Sequence, residues 1–492
     1  MENTGIVKDI KEDKVKEKKH RNIKIELLDI IIFLIVVIIF GAVLLAFFPG
    51  IITSDCVDQI NQAKENLYNS GHPIIHSFII GNLTKLGGIW VPSLFQIIVF
   101  SLIWCYICKI LRKYNESTLN KIFQIVFTII ICVIPLNFMY SITLWKDILY
   151  SYAFLLSLIF IVVGIKEDYK FTNMQIVLIS LSSVSIIEFR KNGLPIGLFV
   201  FGFLMLANIV KNKNIKDTFK FIISFFIITI IMNIPQWIVN KVPEISGGSV
   251  LNSTKVYCMG KLLNEGIEIT DEEKEFLNTI LDVNEWKENF DLYSGNGILF
   301  NPDINNNTLR NKENEDKFDE IFMKYAKQNK KSVIKHFLNI NSIWWSIKEK
   351  GPMHSVVTSN IWISEMTNGA YNNKPILTGL NDKIEKYINK SFSNSLVYEL
   401  FYRPAVPLYI SIILCIIIIL KEKKKSYILL LIPMLLNIAT YVILISSQDQ
   451  RYFYTCFMTE YLMILLTAMF FINRKDTNMI DSLKDKKIER QI

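Results

Sequence analysis

A chain of 492 residues with 51% apolar residues, 33 phenylalanines and a mean hydropathy of +0.32 carries more apolar material than a soluble domain of that length uses. The apolar residues come in blocks long enough to cross a bilayer, about 20 residues of helix each, which excludes a soluble enzyme and a disordered chain. The formal charge of +9 lies in clusters beside those blocks, the positive-inside pattern of a membrane protein rather than a nucleic-acid surface, so no nucleic-acid partner is expected.

Residues 1–24 form a tail charged in both signs, with Lys8, Lys11, Lys14, Lys16, Lys18, Lys19 and Arg21, and read as a solvated cytoplasmic segment that fixes orientation. A first helix runs from about Ile25 to Phe48 and ends at Pro49-Gly50. It is too long for a cleaved leader, lacks a small-residue cleavage site, and stays as a span. The stretch 49–88 is a first outer loop, and its second half, Pro73 to Gly88, is apolar but short and Gly-rich, as an interfacial or re-entrant helix is. Further spans are predicted near 89–110, 119–140, 147–165, 172–189, 193–211 and 218–240, then near 400–420, 426–446 and 452–473, about ten in all.

The loops fix the sidedness. Lys109, Arg112 and Lys113, then Lys166 and Lys170, Lys211, Lys213 and Lys216, Lys421 and Lys423 to Lys425, and Arg474 and Lys475 all fall on the side of the N-terminal tail. Both termini are therefore expected in the cytoplasm of a multi-pass plasma-membrane protein, with 49–88 and 241–398 outside. The expected division is a tail (1–24), an N-terminal membrane module of about seven helices (25–240), a small, mostly helical outer domain (241–398), a C-terminal module of about three helices (399–474) and a second tail (475–492). In the outer domain Thr270 to Glu273 is a capping box, followed by helical apolar spacings at Phe318, Ile321, Phe322 and Tyr325 and at Val333, Ile334, Phe337 and Leu338. The Trp344-Trp345 pair after them suits the membrane interface. Cys105 and Cys108 make a CxxC inside a predicted span; with no second pair to complete a metal site, they read as small apolar residues.

Ionisable groups gather at the predicted outer mouths. The first outer loop supplies Asp55, Asp58, Gln59, His72 and His76; Lys146 and Asp147 lie in LWKD, and Arg190, Lys191 and Asn192 in FRKNG. Arg403 opens a later span, and Asp449, Arg451 and Tyr452 precede the last. Cations on the outer side run against the positive-inside bias and need compensation. Local pairs are one form of it: Lys146 with Asp147, Arg190 with Glu188, Arg451 with Asp449. An anionic ligand is the other, because the planar guanidinium donates in parallel to phosphate. His72 precedes Pro73 and reads as a cap of the helix that follows; the His72–His76 spacing is a weak metal signal, and hydrogen bonding of the pair to a phosphate or sugar hydroxyl is the stronger functional reading. Asp55 and Asp58 leave a divalent cation open, and no other cofactor is expected.

The order PG, SDCVDQ, HP, LWKD, RKNG and QRYFY resembles an uncharacterised bacterial branch of the GT-C superfamily of membrane glycosyltransferases, which use polyprenyl-phosphate-linked sugars. The resemblance covers most of the membrane part. It implies an all-α polytopic GT-C-like fold and a catalytic aspartate in the first outer loop, falling on Asp55 with Asp58 its close rival, in place of the Asp-Glu pair of the protein mannosyltransferase branch. It further implies inverting transfer from a polyprenyl-phosphate donor to a cell-envelope acceptor, with the mouth cations toward the lipid phosphate. A hydroxyl that attacks an anomeric carbon must lose its proton to a carboxylate within reach. A transporter or flippase of an anionic precursor is the alternative, and a non-catalytic scaffold the third.

Overall fold

The computed structural model describes residues 25–69, 71–241, 250–354, 356, 372 and 374–472, and the two expected tails lie outside these. The first helix, α1 (Leu27–Ala46), is followed by two shorter ones, α2 (Ser54–Glu65) and α3 (Ile74–Gly87). Then come α4 (Trp90–Tyr114), α5 (Thr118–Val133), α6 (Pro135–Ser141), α7 (Lys146–Lys166), α8 (Asn173–Phe189), α9 (Leu194–Asn212) and α10 (Ile215–Ile238). A helical domain intervenes, with α11 (Val250–Asn264), α12 (Asp271–Asn278), α13 (Val283–Glu288), α14 (Asn296–Leu299), α15 (Lys312–Gln328), α16 (Lys330–Ile340), α17 (Ser342–Trp345), α18 (Thr378–Ser393) and α19 (Ser395–Tyr402). The last helices are α20 (Ala405–Glu422), α21 (Ile432–Leu444) and α22 (Tyr454–Phe471). Two-residue strands, β1 (Leu67–Tyr68) and β2 (Asn240–Lys241), pair in parallel and tie the loop after α1 to the end of α10.

The chain is an all-α polytopic membrane protein. Among the described residues eight helical stretches are long and apolar enough to cross a membrane, against the ten blocks of the sequence. One difference has a clear cause. The block at 119–140 is broken, and α5 and α6 meet at 75°. Ile134 precedes a proline and is extended (φ −68°, ψ 124°), and Pro135 opens the new helix, where its missing N–H costs nothing. The other difference is α8, apolar but only 17 residues long.

Helix α7 is the centre of the bundle. It is apolar all round and buried along its whole membrane window, packing on α4, α8 and α22. Helix α10 lies at the flank instead and turns Ile223, Phe226, Ile230 and Trp237 outward.

Ion pairs mark one end of the bundle. Asp29 near the start of α1 pairs with Arg112 and, at 2.9 Å, with Lys109 at the end of α4. Lys113 reaches Glu167 (3.0 Å) and Lys166 reaches Glu422 (2.9 Å). These contacts gather the basic stretches expected on one side. Arg112 is buried there as the partner of Asp29, not solvated in a loop.

The opposite end is built by short backbone pairings. Ile51 exchanges hydrogen bonds with Ile142 and Leu144 (2.9 and 3.2 Å), the Cys56 thiol donates to the Leu144 carbonyl (3.2 Å), and the Trp145 indole donates to Thr53 Oγ1 (2.9 Å). SDCVDQ is thereby laid against LWKD. The segment 446–450 is held from both sides by the helical domain: Gly295 N–H donates to Ser446 (2.6 Å), Gln448 N–H to Tyr293 (3.2 Å), His354 N–H to Gln448 (2.7 Å) and Gln450 N–H to His354 (3.1 Å).

Gly193 of FRKNG sits where no side chain fits. A Cβ there would lie 1.9 Å from the Ile186 carbonyl oxygen and 3.2 Å from the Tyr150 ring. Gly193→Ala is expected to cost about 1–3 kcal/mol by overpacking, read as a lowered melting temperature of the solubilised protein. An unchanged melting temperature would mean that α8 and α9 can part there freely.

In the helical domain the Thr270–Glu273 capping box forms as read, and α15 buries Phe318, Ile321, Phe322 and Tyr325. Helix α16 departs from the pattern. It buries His336 and Ile340, while Ile334 and Leu338 stay 60% and 55% exposed.

Candidate functional site

Four separated parts of the chain meet at the end of the bundle opposite the basic one. Asp55 lies in the first turn of α2, where the helix dipole favours a carboxylate. Asp58 follows one turn later. Lys146 and Asp147 open α7, Arg190 follows α8, and Asp449 with Arg451 precedes α22.

Arg451 is the hub. Its Nη1 donates to Asp55 Oδ2 (2.8 Å) and its Nε to Asp449 Oδ2 (2.9 Å), with Asp147 Oδ2 at 3.9 Å. Asp449 also accepts from the Arg451 backbone N–H (3.2 Å), which fixes the short 3₁₀ turn that carries the arginine. Arg190 pairs with Asp147, and its Nε donates to Asn192 Oδ1 (3.1 Å), while Asn192 Nδ2 donates to Thr440 Oγ1 (3.0 Å). Both guanidiniums rest on aromatic rings. Arg190 lies 4.8 Å from the Tyr452 centroid and 5.2 Å from Tyr441, rings that stack on each other at 4.9 Å; Arg451 lies 5.2 Å from Trp145.

The expected local pairs are thus only partly formed. Arg451 does take Asp449. Arg190 takes Asp147 in place of Glu188, whose carboxylate accepts from Asn233 (2.8 Å). Lys146 turns to His72 Nδ1 (3.0 Å). Sequence neighbours on a helix end point different ways, so residues brought together by packing win over adjacent ones.

His72 is a connector, not the expected cap: α3 begins after Pro73 with no side-chain cap. An ammonium can only donate, so Nδ1 of His72 accepts and its Nε2–H faces Asp58 Oδ2 at 3.3 Å. Gln62 Nε2 donates to the same oxygen (2.7 Å), so both contacts fall on Oδ2 of a side chain that is 51% exposed. The Asp55 side chain is 33% exposed.

Burial opposes ionisation of Asp55, but Arg451, Lys146 and His72 outweigh it and hold its carboxyl well below the usual carboxylate range. Burial, then Lys146, presses His72 down to about 4 against the pull of Asp55 and Asp58. Burial presses His76 to about 3 and His336 to about 4.

The remaining expected residues scatter. His76 is fully buried, edge-on to Phe189, and neither its ring nitrogens nor Gln59 Nε2 has a partner among the described residues. Both lie beneath the charged surface. Lys191 is exposed beside it. Arg403 is elsewhere: fully buried, it donates to the carbonyls of Ser346 (2.8 Å) and Ser342 (3.1 Å) and joins the helical domain to α20. Tyr441, which walls Arg190, gave no signal beyond an aromatic in an apolar block, and Trp145, against Arg451, was legible only as a member of LWKD.

Three cations, Lys146, Arg190 and Arg451, face four carboxylates, Asp55, Asp58, Asp147 and Asp449. Among the described residues no group of three or more His, Cys, Asp or Glu is disposed to hold a metal ion. The seven cysteines, Cys105 and Cys108 included, are unpaired.

The buried neutral histidines make a pH prediction. Each has a folded pKa below its unfolded value of about 6.5, so its contribution is complete above pH 6.5 and is lost as pH falls toward 4. At pH 4.5 the fully buried His76 alone should cost about 2–3 kcal/mol. Melting temperatures should fall between pH 7 and 4.5, and His76→Leu should flatten part of that fall; an identical decline in the variant would refute the assignment.

No family model, curated protein or solved structure matches the chain.

Proposed function

We propose that this protein is a GT-C-like membrane glycosyltransferase. It moves a sugar from a polyprenyl-phosphate donor to a hydroxyl of a cell-envelope acceptor, on the outer face of a bacterial plasma membrane. The observation that carries this reading is the half-exposed carboxylate of Asp58 standing in one cluster with Lys146, Arg190 and Arg451. The cluster occupies the end of the bundle opposite the basic one, the extracytoplasmic end by the positive-inside rule.

In the proposed step the acceptor hydroxyl gives its proton to Asp58 Oδ1 as its oxygen bonds to the anomeric carbon. The bond from that carbon to the phosphate oxygen breaks, and the phosphate leaves with the electron pair, inverting the centre. Exposed Lys191 and the ammonium of Lys146 meet the charge that grows on the phosphate, while Arg190 and Arg451, already committed to carboxylates, shape the site. Asp58 is the better base of the two aspartates. Asp55, locked to Arg451 with a depressed proton affinity, is the weaker acceptor and acts by positioning the arginine.

Transport is the less supported alternative. The charged groups gather at one end of the bundle, and the sequence shows no internal repeat of the kind transporters often carry. The test is envelope glycan analysis with and without the gene. Loss of one sugar decoration is expected; an unaltered glycan profile would overturn the reading.

A further inference from the structure

A cavity of about 370 Å3 opens at the elbow between α15 and α16, far along the chain from the charged cluster. Its walls are apolar: Phe322, Met323 and Ala326 from α15, Val333 and Phe337 from α16. Lysines stand at its edge. Lys255 reaches Asp319 at 2.5 Å, whereas Lys327 and Lys330 are exposed and make no ion pair among the described residues. An apolar void of this size gains by holding an apolar chain, and cations at the rim select a negative charge at the end of that chain.

The neighbouring surface supplies the source of such a molecule. Ile334 and Leu338 stay exposed on α16, and the Trp345 indole N–H donates to the Leu338 carbonyl (3.1 Å), which extends the stripe into α17. The Trp345 carbonyl in turn accepts from the hydroxyl of Tyr409 in membrane helix α20 (2.6 Å). The stripe therefore ends at the bilayer boundary, where indole rings settle. Helix α16 is about 16 Å long at 1.5 Å per residue, within the reach of one lipid from that boundary.

We propose that this elbow is a binding site for one anionic membrane lipid. The acyl chain fills the cavity, the phosphate lies on Lys327 and Lys330, and Ile334, Leu338 and Trp345 rest in the interface beside it. The site does not rest on the transfer reaction, since no residue that lines it belongs to the charged cluster.

The test uses the full-length protein, labelled at its methionine methyls and placed in phosphatidylcholine nanodiscs. Met323 lines the cavity, and Met323→Leu assigns its signal among the 14 methionines. Phosphatidylglycerol with a spin label deep in its acyl chain should broaden Met323 strongly, and spin-labelled phosphatidylcholine at the same fraction should not. Each lysine near an anionic headgroup is worth about fivefold in affinity. The double variant Lys327→Gln, Lys330→Gln should therefore need roughly 25-fold more labelled lipid for the same broadening. Ala326→Phe, which fills the cavity and keeps the charges, should abolish it, with unchanged positions of the other methionine signals reporting the fold. Equal broadening by both lipids, no broadening by either, or an unaltered response of the lysine variant would overturn the proposal.

Discussion

Asp58→Asn is expected to slow sugar transfer by about 10²–10⁴-fold and to leave the fold intact. The amide preserves size and can still accept from Gln62 and His72, and the side chain is half exposed, so little stability rests on its charge. Asp55→Asn should behave differently. It strips Arg451 of one of its carboxylates in a largely buried setting and should lower both the melting temperature and the donor affinity. The measurement is the initial rate from a synthetic polyprenyl-phosphate sugar to an envelope extract, beside a melting curve for each variant. Full activity in Asp58→Asn, with loss confined to Asp55→Asn, would move the base to Asp55.

Arg451→Met is expected to be the most destabilising single change at the site, by about 3–5 kcal/mol. It leaves Asp449 and Asp55 without their shared cation and Asp147 with Arg190 alone. Arg451→Lys should rescue little, because one ammonium cannot reach two carboxylates along two directions while lying on Trp145. The double variant Arg451→Met, Asp449→Asn should regain part of the loss by removing a stranded charge, and chemical denaturation of the three proteins reads the difference. A single variant as stable as the parent would show that the carboxylates find other partners.

Much of this site is legible in the sequence because each piece sits beside a long apolar block. Asp55, Asp58, Lys146, Asp147, Arg190 and Arg451 all announce themselves as charges at helix mouths, and the spans place those mouths at a common end. What the sequence withholds is who pairs with whom. Local proximity suggests Arg190 with Glu188, yet Asp147 wins because α7 and α8 pack along their length and bring the two mouths together. Arg403 looks equivalent to Arg190 by position, and only the fold shows it spent on the carbonyls of Ser342 and Ser346. The break at Pro135 was present as a residue but was overridden by the apolar run around it. Helix α16 shows the reverse error: its apolar spacing is real, but the face it defines is not the one that packs.

The Asp55–Arg451 bond joins residues 396 positions apart. During synthesis the two aspartates of the first loop reach their end of the membrane early, with Asp147, Lys146 and Arg190 following, and the hub arrives only when the last membrane helix does. Until that helix is in place Asp55 has Lys146 and His72 beside it but not its guanidinium, so the cluster is closed by the last span of the chain.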